Sequence, residues 1–108
     1  MIERGSSVLM PNPRPAAHGV NASELPDGRI AACWFAGTRE GVEDQRVLVA
    51  TSTDGGTWST PTVLVDHFAY EDDRWIPEIA ALIPSSDGEL WTLFSAAPLS
   101  SFVYREDR

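Results

Sequence analysis

Leu25-Pro26-Asp27-Gly28-Arg29-Ile30, with Trp34-Phe35 behind it, returns later in the chain as Ile83-Pro84, Asp87-Gly88-Glu89-Leu90 and Leu93-Phe94. In each copy an Asp-Gly turn separates two apolar runs. Proline presets φ near such a turn, and glycine tolerates the positive φ it needs. The interval from Asp27 to Asp87 is close to the length of a four-stranded β-unit with one long loop. A repeat of that length points to β-units in series. It tips the choice away from a small β-sandwich, which short strands alone would also suit.

Working outward from the repeat, turn signals divide the chain into short strands. The first unit reads as strands over residues 20–25, 29–36, 45–52 and 61–65. Residues 29–36 are apolar almost throughout, as a strand buried on both faces should be. A polar loop covers 37–44, and an acidic, aromatic loop covers 66–73. The pattern then restarts with strands over 76–83 and 89–96, and 101–105 begins a third. Pro11, Pro13 and Pro15 make the start an extended arm, with a short strand at 7–10. No segment carries the apolar spacing of a long amphipathic helix. The expected organisation is an arm over 1–17, a full unit over 18–66 and an incomplete one over 67–108.

Sixteen acidic residues face eight basic ones, all arginine, for a net charge of -8. Such a balance repels polyanions, so neither nucleic acid nor an anionic membrane is an expected partner. A small anionic sugar needs only a local group of arginines and stays open. Cys33, the single cysteine, has no internal disulfide partner and reads as a small buried hydrophobe. No apolar stretch approaches the roughly 20 residues that span a bilayer. The start, Met1-Ile2-Glu3-Arg4-Gly5, lacks a signal-peptide pattern, so the chain reads as soluble, with its compartment undetermined. Asn21-Ala22-Ser23 has the form of a glycosylation sequon and, without secretory context, is taken as chance.

Ser52-Thr53-Asp54-Gly55-Gly56-Thr57-Trp58 is the most specific local motif. It resembles the Asp-box, a Ser-x-Asp-x-Gly-x-Thr-Trp hairpin repeated around sialidase-type propellers. Ser52, Asp54, Gly56 and Trp58 fit a structural role. The aspartate accepts backbone N–H groups, the glycines supply positive φ, and the tryptophan packs beneath the hairpin. A calcium loop would need carboxylates at alternating positions and a closing glutamate, and neither is present. No metal and no cofactor is expected.

His18-Gly19-Val20-Asn21-Ala22-Ser23-Glu24-Leu25-Pro26-Asp27-Gly28, then Trp34-Phe35-Ala36-Gly37-Thr38-Arg39-Glu40-Gly41 and Asp44, carry a second resemblance. They look like the opening blade of a bacterial sialidase-like (neuraminidase-like, BNR-repeat) subfamily. The likeness covers 18 to about 65 closely and 74–96 loosely. It implies an all-β fold: one and a half blades, each of four antiparallel strands, from a six-bladed type of β-propeller. It also implies a glycan-acting site on the central face. In true sialidases an arginine stands eight residues before the Pro-Asp-Gly turn, and His18 occupies that place here. A complete site of that kind needs two further arginines, a tyrosine–glutamate nucleophilic pair and an acid/base aspartate, mostly from later blades.

The residues themselves support chemistry at 37–44, since the loop follows a buried strand and its charges emerge at one end of the unit. Arg39 is a candidate for a substrate carboxylate or hydroxyl. Glu40 and Asp44 are candidate acid/base carboxylates, provided burial raises a pKa. His18 is a candidate for orienting substrate or moving a proton. Arg74 and Trp75 could meet a sugar by ionic contact and ring stacking. The plain alternatives are a solvated Arg39–Glu40 pair, a His18 that only ties the arm to the sheet, and a Trp75 that packs. Trp34 and Trp91 read as core, and His67 as exposed.

The implied function is a sialidase-type exo-glycosidase when complete. The alternatives are a uronate-directed polysaccharide lyase of related fold and a non-catalytic oligomeric carbohydrate-binding module. The expected partner is carbohydrate of an anionic kind. Closure of a propeller would require further C-terminal blades or several copies, a trimer for instance, and the chain alone is expected to be inactive.

Overall fold

The computed structural model describes residues 7–101. It is all-β, with two antiparallel sheets and no α-helix among those residues. The first sheet has the order β1 (Ala16–Glu24), β2 (Ile30–Gly37), β3 (Arg46–Ser52), β4 (Thr62–Val65). The second has the order β5 (Phe68–Tyr70), β6 (Asp73–Pro84), β7 (Leu90–Pro98).

The two Asp-Gly hairpins are equivalent bond for bond. Gly28 N–H donates to Leu25 O and Leu25 N–H to Arg29 O, while Gly88 N–H donates to Ser85 O and Ser85 N–H to Glu89 O. Gly28 and Gly88 both take positive φ, 92° and 90°. The strand registers agree as well. Ala16↔Gly37 and Ala17↔Ala36 are matched by Ile76↔Ala97 and Pro77↔Ala96. The pairs from Asn21↔Cys33 to Glu24↔Ile30 are matched by those from Ala81↔Leu93 to Pro84↔Leu90. Each hairpin carries a β-bulge in the same stretch, displaced by one residue, between His18 and Asn21 and between Pro77 and Ala80. A bulge inserts one unpaired residue and sharpens the local twist, so the repeat preserves shape as well as pairing.

The sheets pack face to face, with β6 lying against β1, β2 and β3. Alternation along β2 and β3 sends Ala31, Cys33, Phe35 and Val47 toward β6, where they bury Ala80 and Leu82. The other face of the first sheet carries Ala32, Trp34, Ala36, Leu48 and Ala50, covered by Met10 of the arm and by Trp58. β2 is therefore buried on both faces, which explains its unbroken apolar sequence. Cys33 is buried, and burial pushes its thiol pKa up, as suits a packing residue.

Side chains of β1 also bond across the seam. Asn21 Nδ2 donates to Ala80 O at 2.7 Å and Ser23 Oγ to Leu82 O at 2.8 Å. Both polar residues of the apparent sequon thus serve the sheet–sheet contact.

Several boundaries differ from the sequence expectation. Residues 7–10 form no strand, since the following prolines remove the N–H groups that a ladder needs. β1 begins at Ala16, ahead of the expected start at 20, because the bulge at Gly19 lets pairing continue past it. The acidic loop contains a strand, β5, joined to β6 by a two-residue turn with Glu71 and Asp72 at φ 50° and 61°. Two positive-φ residues in a row make the primed turn that matches strand twist. Trp91 is 59% exposed, a correction to its expected place in the core. It is the counterpart of buried Ala31, but no described strand covers that face of β7. Of the expected strand at 101–105, Ser101 closes a short 3₁₀ turn and the rest lies outside the described residues.

Candidate functional site

Pairing places the loops at two opposite ends. At one end Ile30 faces Ser52, so the Asp27 turn and the Asp-box sit together there, with the Asp87 turn beside them. At the other end Ala36 faces Arg46, and the 38–45 loop emerges beside the beginnings of β1 and β6.

The Asp-box closes on itself. Asp54 Oδ1 accepts from Gly56 N–H at 2.9 Å and Thr57 N–H at 2.8 Å, and Ser52 Oγ accepts from Gly55 N–H at 2.8 Å. Gly55 takes φ 79°, and Trp58 Nε1 donates to Gly55 O at 3.0 Å while its ring covers the core. The Thr57 and Gly56 amides hold the Asp54 carboxyl below its usual range. These bonds occupy the carboxylate within its own turn, far from the 38–45 loop.

The opposite end gathers the basic residues. Among the described residues, Arg14, Arg39, Arg46 and Arg74 and both histidines lie there, and only Arg29 sits at the Asp-box end. His18, on β1, packs its ring against Phe35 with centroids 5.5 Å apart, and its Nε2 stands 3.8 Å from Glu40 Oε2. Both side chains are about half exposed. Arg39 is exposed next to Glu40 on the same loop. Arg74 Nη1 reaches Glu43 Oε1 at 3.0 Å, linking the start of β6 to the loop of the first sheet.

Asp44 has a different role from the one its sequence position invites. Thr38 donates to its carboxylate through both the backbone N–H and the hydroxyl, and Arg14 Nη1 donates to Asp44 O at 2.9 Å. Partial burial pushes its pKa up. The Thr38 bonds and the charges of Arg14 and Arg46 outweigh that and leave it lowered. An acid/base carboxylate needs the opposite shift, so Asp44 serves as the staple of the loop. Trp75 is likewise engaged: its Nε1 donates to Tyr70 O at 3.0 Å, and its ring stacks on Phe68 with centroids 6.4 Å apart.

Two features escaped the sequence reading. Gln45 is 1% exposed; its Oε1 accepts from Gly41 N–H at 2.8 Å, and its Nε2 donates to Pro77 O at 2.9 Å. It fixes the loop to the second sheet. His67 is half-buried rather than exposed and stands between Asp66 and Arg74, its Nδ1 close to the Asp66 carboxylate but without hydrogen-bond geometry. Arg46 Nε pairs with Asp66, Asp66 Oδ1 lies 2.8 Å from His67 Nδ1, and His67 Nε2 lies 2.9 Å from Arg74 Nη1. Arginine only donates, so His67 Nε2 is the acceptor there. Neither feature has a local motif. Glu43 and Arg46 flanking Gln45 were the only hint, and their partners, Arg74 and Asp66, lie far along the chain.

The end therefore sets nitrogen-bearing side chains beside carboxylates, His18 by Glu40 and Arg74 by Glu43, with Arg39 next to Glu40 in the loop. Arginines can take an acid group in bidentate fashion, and carboxylates can accept from hydroxyls. Among the described residues, no group of three or more His, Cys, Asp or Glu is placed to hold a metal ion. No protein-family model, curated protein or solved structure matches the chain.

Proposed function

We propose that this chain forms part of the carbohydrate site of a sialidase-like, glycan-acting β-propeller, with an acid-bearing sugar as its ligand. The four-stranded sheet is read as one complete blade and the three-stranded sheet as an incomplete one. The matching registers of their two hairpins support this. The observation that carries the reading of function is the gathering of His18, Arg39, Glu40 and Arg74 at one end of a chain whose net charge is -8. Arg74 and Arg39 would meet the sugar carboxylate, and His18 with Glu40 would hold a hydroxyl or hand over a proton. Further sheet units would supply the tyrosine–glutamate pair and remaining arginines of a sialidase-type hydrolase, so the chain alone turns nothing over. A uronate-directed lyase uses the same histidine and arginine to neutralise a carboxylate, and it is the second reading.

The test is a titration of the 108-residue protein with sialic acid, glucuronate and glucose, followed by amide chemical shifts. The acid sugars should move the amides of His18, Glu40 and Arg74, and glucose should not. Equal response to all three, or to none at millimolar sugar, would sink the proposal. Cleavage of a fluorogenic sialoside by this chain would refute its inactivity.

A further inference from the structure

Arg74 commits both hydrogens of one guanidinium nitrogen to the protein. Its Nη1 stands 3.0 Å from Glu43 Oε1 and 2.9 Å from His67 Nε2. Its Nε and Nη2 bond to no described residue, and the side chain is 47% exposed. Nε and Nη2 form the side edge of the fork, which can meet a carboxylate with two parallel N–H bonds. Holding Nη1 from two directions sets the plane of the guanidinium and leaves that edge open.

The hold depends on a neutral His67. A guanidinium has no acceptor, so the bond exists only while His67 Nε2 carries a lone pair. The imidazole proton then sits on Nδ1, which is buried beside the Asp66 carboxylate, 2.8 Å away. Asp66 is fixed in turn by Arg46 Nε from β3 and by the His67 backbone N–H. The ring is thus set from the first sheet, and Arg74 reaches it from the start of β6. The charged groups around the ring are Asp66, Arg46, Arg74 and, behind Arg74, Glu43. Carboxylates and guanidinium groups ordinarily keep their charges from about pH 5 to 7.5, and imidazole does not. A second ring proton sets N–H against N–H and cation against cation at Arg74 Nη1, and repulsion is strongest at contact distance.

We propose that His67 is the positioning residue of Arg74: neutral, it holds the guanidinium with its Nε–Nη2 edge ready for a carboxylate, and protonated, it lets go. The site then takes an acid group well near neutral pH and poorly in mild acid. The hold on Arg74 stands on geometry alone; that the carboxylate belongs to a sugar rests on the carbohydrate reading.

Nuclear magnetic resonance of the 108-residue protein tests the two separately. Without ligand, the Arg74 Nε–H signal should move between about pH 7.5 and 5 with the midpoint of the His67 ring. His67→Gln keeps an uncharged acceptor and should hold the signal at its neutral-pH position throughout. His67→Ala has no acceptor and should show the released position at every pH. An Arg74 signal that ignores the His67 titration, or a step that survives in His67→Gln, would overturn the proposal, and the parent titration decides even where a variant fails to fold. Sialic acid then reads the consequence. From pH 7.5 to 5 its affinity should fall at least fivefold more in the parent than in His67→Gln, a ratio that cancels the titration of His18, present in both. The same pH dependence in parent and variant would overturn the regulation. No sialic acid binding at either pH, with the Arg74 step intact, would remove the carbohydrate reading and leave the hold on Arg74 standing.

Discussion

Gly19 and Ile79 hold equivalent places in the two bulged hairpins, one repeat apart, and they lie against each other across the sheet–sheet seam. A Cβ on Gly19 would stand 3.3 Å from Ile79 Cγ1 and 2.7 Å from Phe35 Cε1. Gly19 also takes φ 64°, a conformation that costs side-chain-bearing residues free energy. One member of the repeat gives up its side chain so that the other, and Phe35, can occupy the space.

Gly19→Ala is therefore expected to destabilise the fold by about 1–3 kcal/mol, from left-handed strain and overpacking together. Urea unfolding would measure it. A change below about 0.5 kcal/mol would mean that the bulge has slack the structure does not display.

Gln45 gives a second expectation. Gln45→Ala leaves Gly41 N–H and Pro77 O buried without their partner, which costs about 2–4 kcal/mol over the two groups. Gln45→Met keeps most of the volume and loses the same bonds. It should be nearly as destabilised, whereas a role in packing alone would leave it close to the parent.

Much of the fold was legible because its information is local. The Asp27 and Asp87 turns need only proline, aspartate and glycine in order, and the two-sided burial of residues 29–36 is written in their composition. The Ser52–Trp58 box completes its hydrogen bonds within its own span, so its form could be read from the motif. The site was legible only in outline. His18 and Glu40 meet, but Asp44 is turned inward by Thr38, and no composition rule decides between solvent and a neighbouring hydroxyl. Gln45 and His67 depend on Pro77 and Arg74 in the other sheet, whose position follows from packing. Trp91 was misread because strand sequence reports apolarity, not whether a neighbour covers it.

Acid should destabilise the chain in a defined window. Asp27, Asp44, Asp54, Asp66 and Asp87 all lie below their ordinary value of 3.8 in the folded state. Their depressed values stabilise the fold above the unfolded pKa. That contribution is lost as pH falls below about 3.8 and through the folded values, because the unfolded chain then binds more protons. Thermal midpoints should be flat in these groups from pH 7 to 5 and drop below 4. Asp54→Asn should lower the midpoint at pH 7 and shrink the acid-dependent part. An unchanged acid profile in that variant would remove Asp54 from the account.

Binding and stability should separate at the loop end. The His18–Glu40 and Arg74–Glu43 pairs are about half exposed, and exposed pairs contribute roughly 0–1 kcal/mol. His18→Ala, Glu40→Gln and Arg74→Ala are each expected to change unfolding free energy by less than about 1 kcal/mol. In the same variants, shifts induced by acid sugars should weaken at least fivefold. Calorimetric melting beside the sugar titration reads both quantities, and parallel loss of stability and binding would assign these residues to scaffolding.

Asn21 and Ser23 attach to the carbonyls of Ala80 and Leu82, so they grip main chain and ignore what side chains β6 carries. Sequence drift along β6 leaves that grip untouched. Sliding β6 by a single residue does not, because it would take the Ala80 and Leu82 carbonyls away from both donors and turn the Ala80 and Leu82 side chains from the buried face to the other. The pair therefore works as a vernier that permits substitution and forbids slippage.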